Sequence, residues 1–276
     1  MELEILRNIQ SIANPFLDKL FELITICGEQ LVLISIMCII YWAIDKKFGE
    51  YLAYSVLTSV LLNNSIKDIF KMKRPIGEEG IRTLRAETAT GYSFPSGHTQ
   101  GTASFYGAIA IYLKKRIYYI ISTIIILLIG FSRLYLGVHY PKDVIVGAIL
   151  GVAVSLMSYY LFNKVNNKIL LYIITFILFI PALTFANSAD FIKGLGTYLG
   201  FILGIIIEKK YVDFSVEGKV KNKILRVLIG VLILVILKLT LKFILPDTLM
   251  FKFISYGIIS FVGIGVYPAI FKKINL

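Results

Sequence analysis

The stretch "ILRVLIGVLILVILKLTL" (residues 224–241) decides what kind of protein this is. It approaches the ~20 apolar residues an α-helix needs to cross a bilayer. Similar runs recur as "EQLVLISIMCIIYWAI" (29–44) and "YYIISTIIILLIGF" (118–131). A water-soluble domain cannot hide so many. The chain of 276 residues is 57% hydrophobic with a mean hydropathy of +0.79, which places it in a membrane.

Working outward, apolar runs between charged or turn-rich breaks give about nine spans. They lie near residues 28–44, 50–66, 99–113, 117–136, 143–162, 168–186, 191–207, 222–245 and 254–271. The expected fold is all-α, a polytopic membrane helix bundle. Residues 1–27 place Leu3, Leu6, Ile9, Leu17, Leu20 and Phe21 among charges at helical spacing. That pattern predicts an amphipathic helix at the interface, or else a short additional span. Acidic residues come early and no small-residue cleavage site follows, so the first span is expected to direct insertion itself. Cys27 and Cys38 lack the spacing of a metal site and the count of a disulfide framework, and are read as packing residues.

The net charge of +12 is spread along the chain instead of gathered on one soluble face, which argues against nucleic acid as a partner. Loops alternate in character. Lys46 and Lys47, residues 114–116, Lys164 and Lys168, the lysines from Lys209 to Lys223, and Lys272 and Lys273 form a basic set expected on the cytoplasmic side. Of the opposite set, only 67–98 is strongly basic. The Gly-spaced segments "GLGTYLGFILG" (194–204) and "YGIISFVGIGVYPAIF" (256–271) are read as close helix packing through small residues.

Two polar interruptions hold both histidines of the chain. In "GYSFPSGHTQGTA" (91–103), Pro95, Ser96 and Gly97 make a tight turn, and small residues from Gly101 to Ser104 open the next apolar run. A helix is predicted to start there. Its free N–H groups and positive dipole end make an anion site, with Gly97 permitting close approach, Ser96 adding a donor and His98 placed to protonate a leaving oxygen. A plain helix cap accounts for the same residues without chemistry.

In "FSRLYLGVHYPKDVIVG" (131–147), His139 precedes Pro141, a helix-opening residue, and Asp143 falls in the first turn. The carboxylate can then fix the imidazole tautomer and leave the other ring nitrogen free as nucleophile or base. A structural histidine at a helix start is the competing reading. Arg133 sits near the end of an apolar span and needs an anionic partner, for which Asp143 or a bound phosphate both serve. The third cluster is "KDIFKMKRP" (67–75), in which Lys71 and Lys73 are read as snorkelling to headgroups.

Counting spans brings Lys67, Arg74, Ser96, Gly97, His98, Arg133, His139 and Asp143 to one face of the membrane. Two histidines, several cations, a helix N-terminus and a serine, without a cluster of thiols or carboxylates, fit phosphoryl transfer through a phosphohistidine. No metal or other cofactor is expected. Such a site also explains the one basic loop in the otherwise neutral set.

These residues resemble the three-part signature of the type 2 phosphatidic acid phosphatase superfamily of integral-membrane lipid phosphatases. The matching positions are Lys67 with Arg74-Pro75, then Pro95-Ser96-Gly97-His98, then Ser132-Arg133 with His139 and Asp143. The resemblance implies that His139 attacks phosphorus, Asp143 orients it and His98 protonates the leaving alkoxide. It implies that Lys67, Arg74, Ser96, Gly97 and Arg133 hold the phosphate oxygens, and that no metal takes part. It also implies a phosphatase core of roughly six helices, drawn here as 28–186, followed by a C-terminal transmembrane extension, 187–276. The expected substrate is a lipid or polyprenyl phosphate or diphosphate, with membrane lipids as partners and the site on the non-cytoplasmic face of the cell membrane. Arg82 and Arg85, in the loop 76–90, either shape headgroup choice or are solvated loop charges. The alternative is a transporter or flippase for anionic lipids, for which Lys238 is the one candidate charge in a late span.

Overall fold

The computed structural model describes residues 1–274, and no strand occurs among them. Helices follow in the order α1 (Glu2–Gln10), α2 (Pro15–Ile26), α3 (Gln30–Ile39, continued by a wider turn over Ile40–Ile44), α4 (Lys46–Phe70), α5 (Gly97–Leu113) and α6 (Arg116–Tyr135). Then come α7 (Pro141–Lys164), α8 (Lys168–Phe179), α9 (Ala189–Ile207), α10 (Val220–Ile244), α11 (Leu249–Phe261) and α12 (Tyr267–Lys273).

Each of the predicted spans coincides with one of these helical stretches, but fewer qualify as spans. Among the described residues, five are long and apolar enough to cross a bilayer, or six if α2 and the helix Gln30–Ile44, bent by 46°, are one span. The difference has a chemical cause. Helix α4 carries Glu50, Asn63, Asn64, Lys67 and Asp68, and α5 is 17 residues long and opens with small and polar ones. These helices supply polar groups to the interior, at the expense of apolar surface. The protein is nonetheless an integral membrane protein on its five or six apolar helices. Lys238 is exposed on α10, and Cys27 is exposed where packing was expected.

The chain divides into two compact units. The first contains Met1–Ile34 and Thr58–Tyr160. Its N-terminal segment forms two helices, not one. Asn14 caps α2 by accepting from the Leu17 N–H at 3.0 Å, and Pro15 occupies the first helical position, where its missing N–H costs nothing. Both helices lie on the loops that carry the motifs. Arg7 donates to the Glu79 carbonyl at 2.8 Å, Gln10 to the carbonyls of Arg82 and Tyr135 at 2.6 and 2.9 Å, and Lys142 pairs with Glu2 at 2.9 Å. Phe21 packs its ring against Tyr135, with centroids 4.5 Å apart.

The second unit contains Ser35–Leu57 and Leu161–Leu276. Helices α9 and α11 meet through glycine. A Cβ added at Gly200 would lie 2.1 Å from the Gly257 carbonyl oxygen, and one at Gly196 would lie 2.2 Å from that of Phe253. Only glycine permits backbones so close. Several polar groups in this unit are paired: Trp42 donates to the Gly263 carbonyl at 3.0 Å, Tyr172 to Glu50 at 2.7 Å, and Lys209 to the same carboxylate oxygen at 2.6 Å.

Candidate active site

The site lies wholly within the first unit and is assembled from four places in the chain. The end of α4 brings Lys67, and Arg74 follows four residues past the helix. Ser96 caps α5, its hydroxyl oxygen accepting from the Thr99 N–H at 3.4 Å and the Thr99 hydroxyl at 3.0 Å. Arg133 ends α6, and Asp143 stands in the first turn of α7. The cap reading of Ser96 is therefore correct, and it coexists with the open N–H groups that any helix presents in its first turn.

What draws these places together is a web of hydrogen bonds and glycine contacts. The Ser96 N–H donates to the Asp143 carbonyl at 2.9 Å, and a Cβ at Gly147 would lie 2.8 Å from the Ser96 carbonyl oxygen, so α7 lies directly against the turn that starts α5. From α4, Asn63 donates to the Pro95 carbonyl at 3.3 Å and to Gln100 at 2.8 Å, while Gln100 donates to the Ser59 carbonyl at 3.0 Å. A Cβ at Gly97 would lie 3.3 Å from Asn63 Oδ1 and 3.9 Å from Lys67 Nζ, so the ammonium stands beside this turn.

His139 is held from both sides. Its Nδ1 is 3.2 Å from Asp143 Oδ2, which also accepts from the Tyr140 N–H at 3.0 Å and the Ser93 hydroxyl at 2.5 Å. Its Nε2 lies 2.8 Å from Arg74 Nη1. A guanidinium has no lone pair to offer, so Nε2 must be the acceptor and Nδ1 the protonated nitrogen that faces the carboxylate. The tautomer that leaves Nε2 nucleophilic is thus the one the partners demand. Burial, and then the charges of Arg74, Arg133 and Lys67, hold His139 well below the ordinary imidazole value, so the ring is neutral at neutral pH.

Arg74 itself is anchored by backbone, donating to the carbonyls of Thr90, Gly91 and Val138 at 2.6, 3.0 and 2.9 Å. Outside it the loop face opens into a depression of about 640 Å³ lined by Met72, Lys73, Gly77, Gly91 and Tyr92 among others. Arg133 is fully buried. One of its Nη atoms donates to the Thr25 hydroxyl at 2.9 Å, but Nε and Nη2 meet no acceptor in the protein, and neither does the buried Nε2 of His98. The expectation that Asp143 or phosphate satisfies Arg133 is thereby narrowed: the hydrogen bonds of Asp143 go to His139, Ser93 and Tyr140. Donors left this way in a protein interior cost about 1–3 kcal/mol each unless a ligand meets them.

All eight residues singled out from the sequence converge here. Four contributing residues were not foreseen. Ser93 shares Asp143 with His139, Thr25 reaches Arg133 from α2, and the pair Asn63 and Gln100 holds the Pro95 turn. Ser93 lay within the quoted motif stretch, but Thr25 carried no local signal. Among the described residues, no group of three or more His, Cys, Asp and Glu is gathered anywhere.

Residues 49–167 match the family model "PAP2 superfamily", and residues 192–276 match "PAP2 superfamily phosphatase, transmembrane extension". The chain is 32% identical over 171 residues to phosphatidylglycerophosphatase B of Bacillus subtilis (strain 168), an alignment covering 57% of this chain and 79% of that protein. It is 30% identical over 160 residues to an undecaprenyl-diphosphatase of Sulfolobus acidocaldarius, covering 57% and 76%. A crystal structure of a transmembrane PAP2 type phosphatidylglycerolphosphate phosphatase from Bacillus subtilis superposes with a TM-score of 0.53 at 28% identity, covering 59% of this chain and 85% of that one. That of LpxE from Aquifex aeolicus gives 0.52 at 28%, covering 58% and 94%. This chain belongs to the PAP2 superfamily.

Proposed function

We propose that this PAP2 superfamily member is a metal-independent phosphatase that hydrolyses a lipid or polyprenyl phosphate, or diphosphate, through a phosphohistidine at His139. One observation carries the reading: buried nitrogens of Arg133 and His98 that meet no partner in the protein, gathered around an imidazole whose partners leave Nε2 unprotonated. A phosphate monoester supplies the partners those nitrogens lack. The relatives with phosphatidylglycerophosphate and undecaprenyl diphosphate in their names support the substrate class.

In this scheme Nε2 of His139 attacks phosphorus as the bond to the lipid oxygen breaks, and His98 gives its proton to that oxygen. Lys67, Arg74, Arg133, Ser96 and the backbone at Gly97 hold the equatorial oxygens, where charge gathers in the transition state. Asp143 stabilises the positive charge that His139 acquires. Water, giving up a proton to His98, then breaks the N–P bond and frees phosphate and enzyme. The core 28–186 carries the chemistry, with 187–276 as its membrane extension. The site is assigned to the non-cytoplasmic face of the cell membrane, because the basic loops 46–47, 114–116 and 164–168 fall on the opposite side by chain parity.

The test is phosphate release from a panel of lipid phosphates and diphosphates by purified protein in detergent and chelator. His139→Ala is expected to abolish release and acid-labile histidine labelling while thermal unfolding stays cooperative. Full activity in a His98→Ala/His139→Ala double variant overturns the mechanism, and lipid movement without phosphate release overturns the enzyme.

A further inference from the structure

Two arginines meet the same short stretch at and just past the end of α2. Thr25 accepts from Arg133 at 2.9 Å, and Glu29, four residues on, accepts from Arg85 Nη2 at 2.6 Å. The backbone between them still turns helically, since the Glu29 N–H donates to the Ile26 carbonyl at 3.0 Å. The two residues therefore stand about one helical turn apart, with Cβ atoms ~5–6 Å from each other. Gly28 sets this stretch against α5, because a Cβ there would lie 2.7 Å from Thr102 Oγ1, one turn along the helix from His98.

Arg85 and Arg82 share a loop but not a condition. Arg82 gives Nη1 and Nη2 to the two oxygens of Asp18, at 2.7 and 2.6 Å, and is a closed bidentate pair. Arg85 gives one nitrogen to Glu29, while its Nε is buried and meets no acceptor in the protein. That is the same state as Nε and Nη2 of Arg133 and Nε2 of His98. Arg85 also stands near enough to act on His98 and Arg133 by its charge.

We propose that Arg85 forms a second phosphoryl subsite, with Glu29 as its resting counter-ion, so that the pocket favours a diphosphate: His139 attacks the terminal phosphorus and Arg85 holds the phosphoryl group that remains on the lipid. This rests on the phosphatase reading for which bond is cut. The subsite itself needs only two linked phosphoryl groups. An adjacent fixed guanidinium neutralises the charge that develops on a leaving phosphate better than water does.

Two measurements on the purified full-length protein separate the claims. Calorimetric titration with non-hydrolysable methylenediphosphonate and with orthophosphate gives a binding preference that needs no turnover. The ratio of kcat/KM for a polyprenyl diphosphate over its monophosphate gives the catalytic one. Arg85→Ala is expected to lower both ratios about ten- to a hundredfold, the range for losing a charge-assisted hydrogen bond. Glu29→Gln, which frees Nη2, is expected to raise them. If Arg85→Ala does not fold, Arg85→Lys, which keeps the charge but not the planar fork, is expected to lower them by a smaller factor. Ratios that stay at the wild-type value in the folded variants, or a wild type that binds both anions equally, overturn the subsite. A wild type that prefers the diphosphonate yet turns over no lipid phosphate sinks the phosphatase reading and leaves the subsite standing.

Discussion

Asp143→Asn separates two things a carboxylate can do for His139. In the wild type a single oxygen, Oδ2, receives Ser93, the Tyr140 N–H and His139, while Oδ1 is buried and meets no donor. In the variant the amide oxygen must take the Oδ2 position, because two fixed donors, Ser93 Oγ and the Tyr140 N–H, point at it. The histidine tautomer is therefore preserved, and only the charge is lost. A hydrogen bond to a charged group is worth about 1.5–3 kcal/mol against about 0.5–1.5 for a neutral one. The loss falls mainly in the transition state, where His139 becomes positive. At 1.4 kcal/mol per decade, the difference of about 1–1.5 kcal/mol between the two lowers kcat roughly five- to twelvefold. Asp143→Ala removes the acceptor of all three donors and is expected to cost at least a further decade in kcat, because the ring then loses its orientation too. The assay is single-turnover phosphate release under saturating lipid phosphate, with orthophosphate inhibition as a control for binding. Wild-type kcat in Asp143→Asn, or a fall as complete as that of His139→Ala, refutes the reasoning.

Further expectations rest on His139, on the glycine contact at Gly200 and on the loop at Glu78. Because His139 is held below the ordinary imidazole value, the acid limb of kcat/KM is expected below pH ~6.5, and Nε2 is expected to react with diethylpyrocarbonate at mildly acidic pH in a His98→Gln background. The unfolded chain takes up a proton near pH ~6.5 that the native ring refuses. Stability from this group is thus full above that pH and lost as pH falls below it, and a pH series of thermal unfolding is expected to show a steeper acid loss in wild type than in His139→Asn. Gly200→Leu puts side-chain atoms where the Gly257 carbonyl stands, and is expected to lower stability by about 1–3 kcal/mol or more, read as midpoint loss in detergent. Glu78→Cys, on an exposed loop position in a Cys27→Ser/Cys38→Ser background, is expected to react with an impermeant thiol reagent in intact cells; labelling only after lysis reverses the sidedness.

The helices and the chemistry were legible for different reasons. Runs such as 118–131 and 224–241 declare themselves by composition, and Pro141 and Ser96 marked helix starts that the structure reproduces within a residue or two. The glycine pattern at 194–204 and 256–271 was correctly read as helix packing. Spanning was harder to read, since α4 presents Asn63, Lys67 and Asp68 to the interior and so fails an apolarity criterion while remaining helical. The motif residues were readable because each sits where an apolar run ends or begins, and the ends of α4, α5, α6 and α7 bring them together. Thr25 and Glu29 were not, because they lie more than 50 residues from the nearest of their arginines, and only the fold of α2 against the motif loops brings them in.

The contact of α2 with Arg133 and Arg85 changes where the working unit of this protein begins. The family match starts at residue 49, yet Arg133 and Arg85 find side-chain acceptors at Thr25 and Glu29, before residue 30. A minimal fragment cut at the family boundary would retain every motif residue and strip two arginines of their hydroxyl and carboxylate neighbours. The same separation means that a substitution at Thr25 or Glu29 changes what Arg133 and Arg85 meet while every signature residue stays in place.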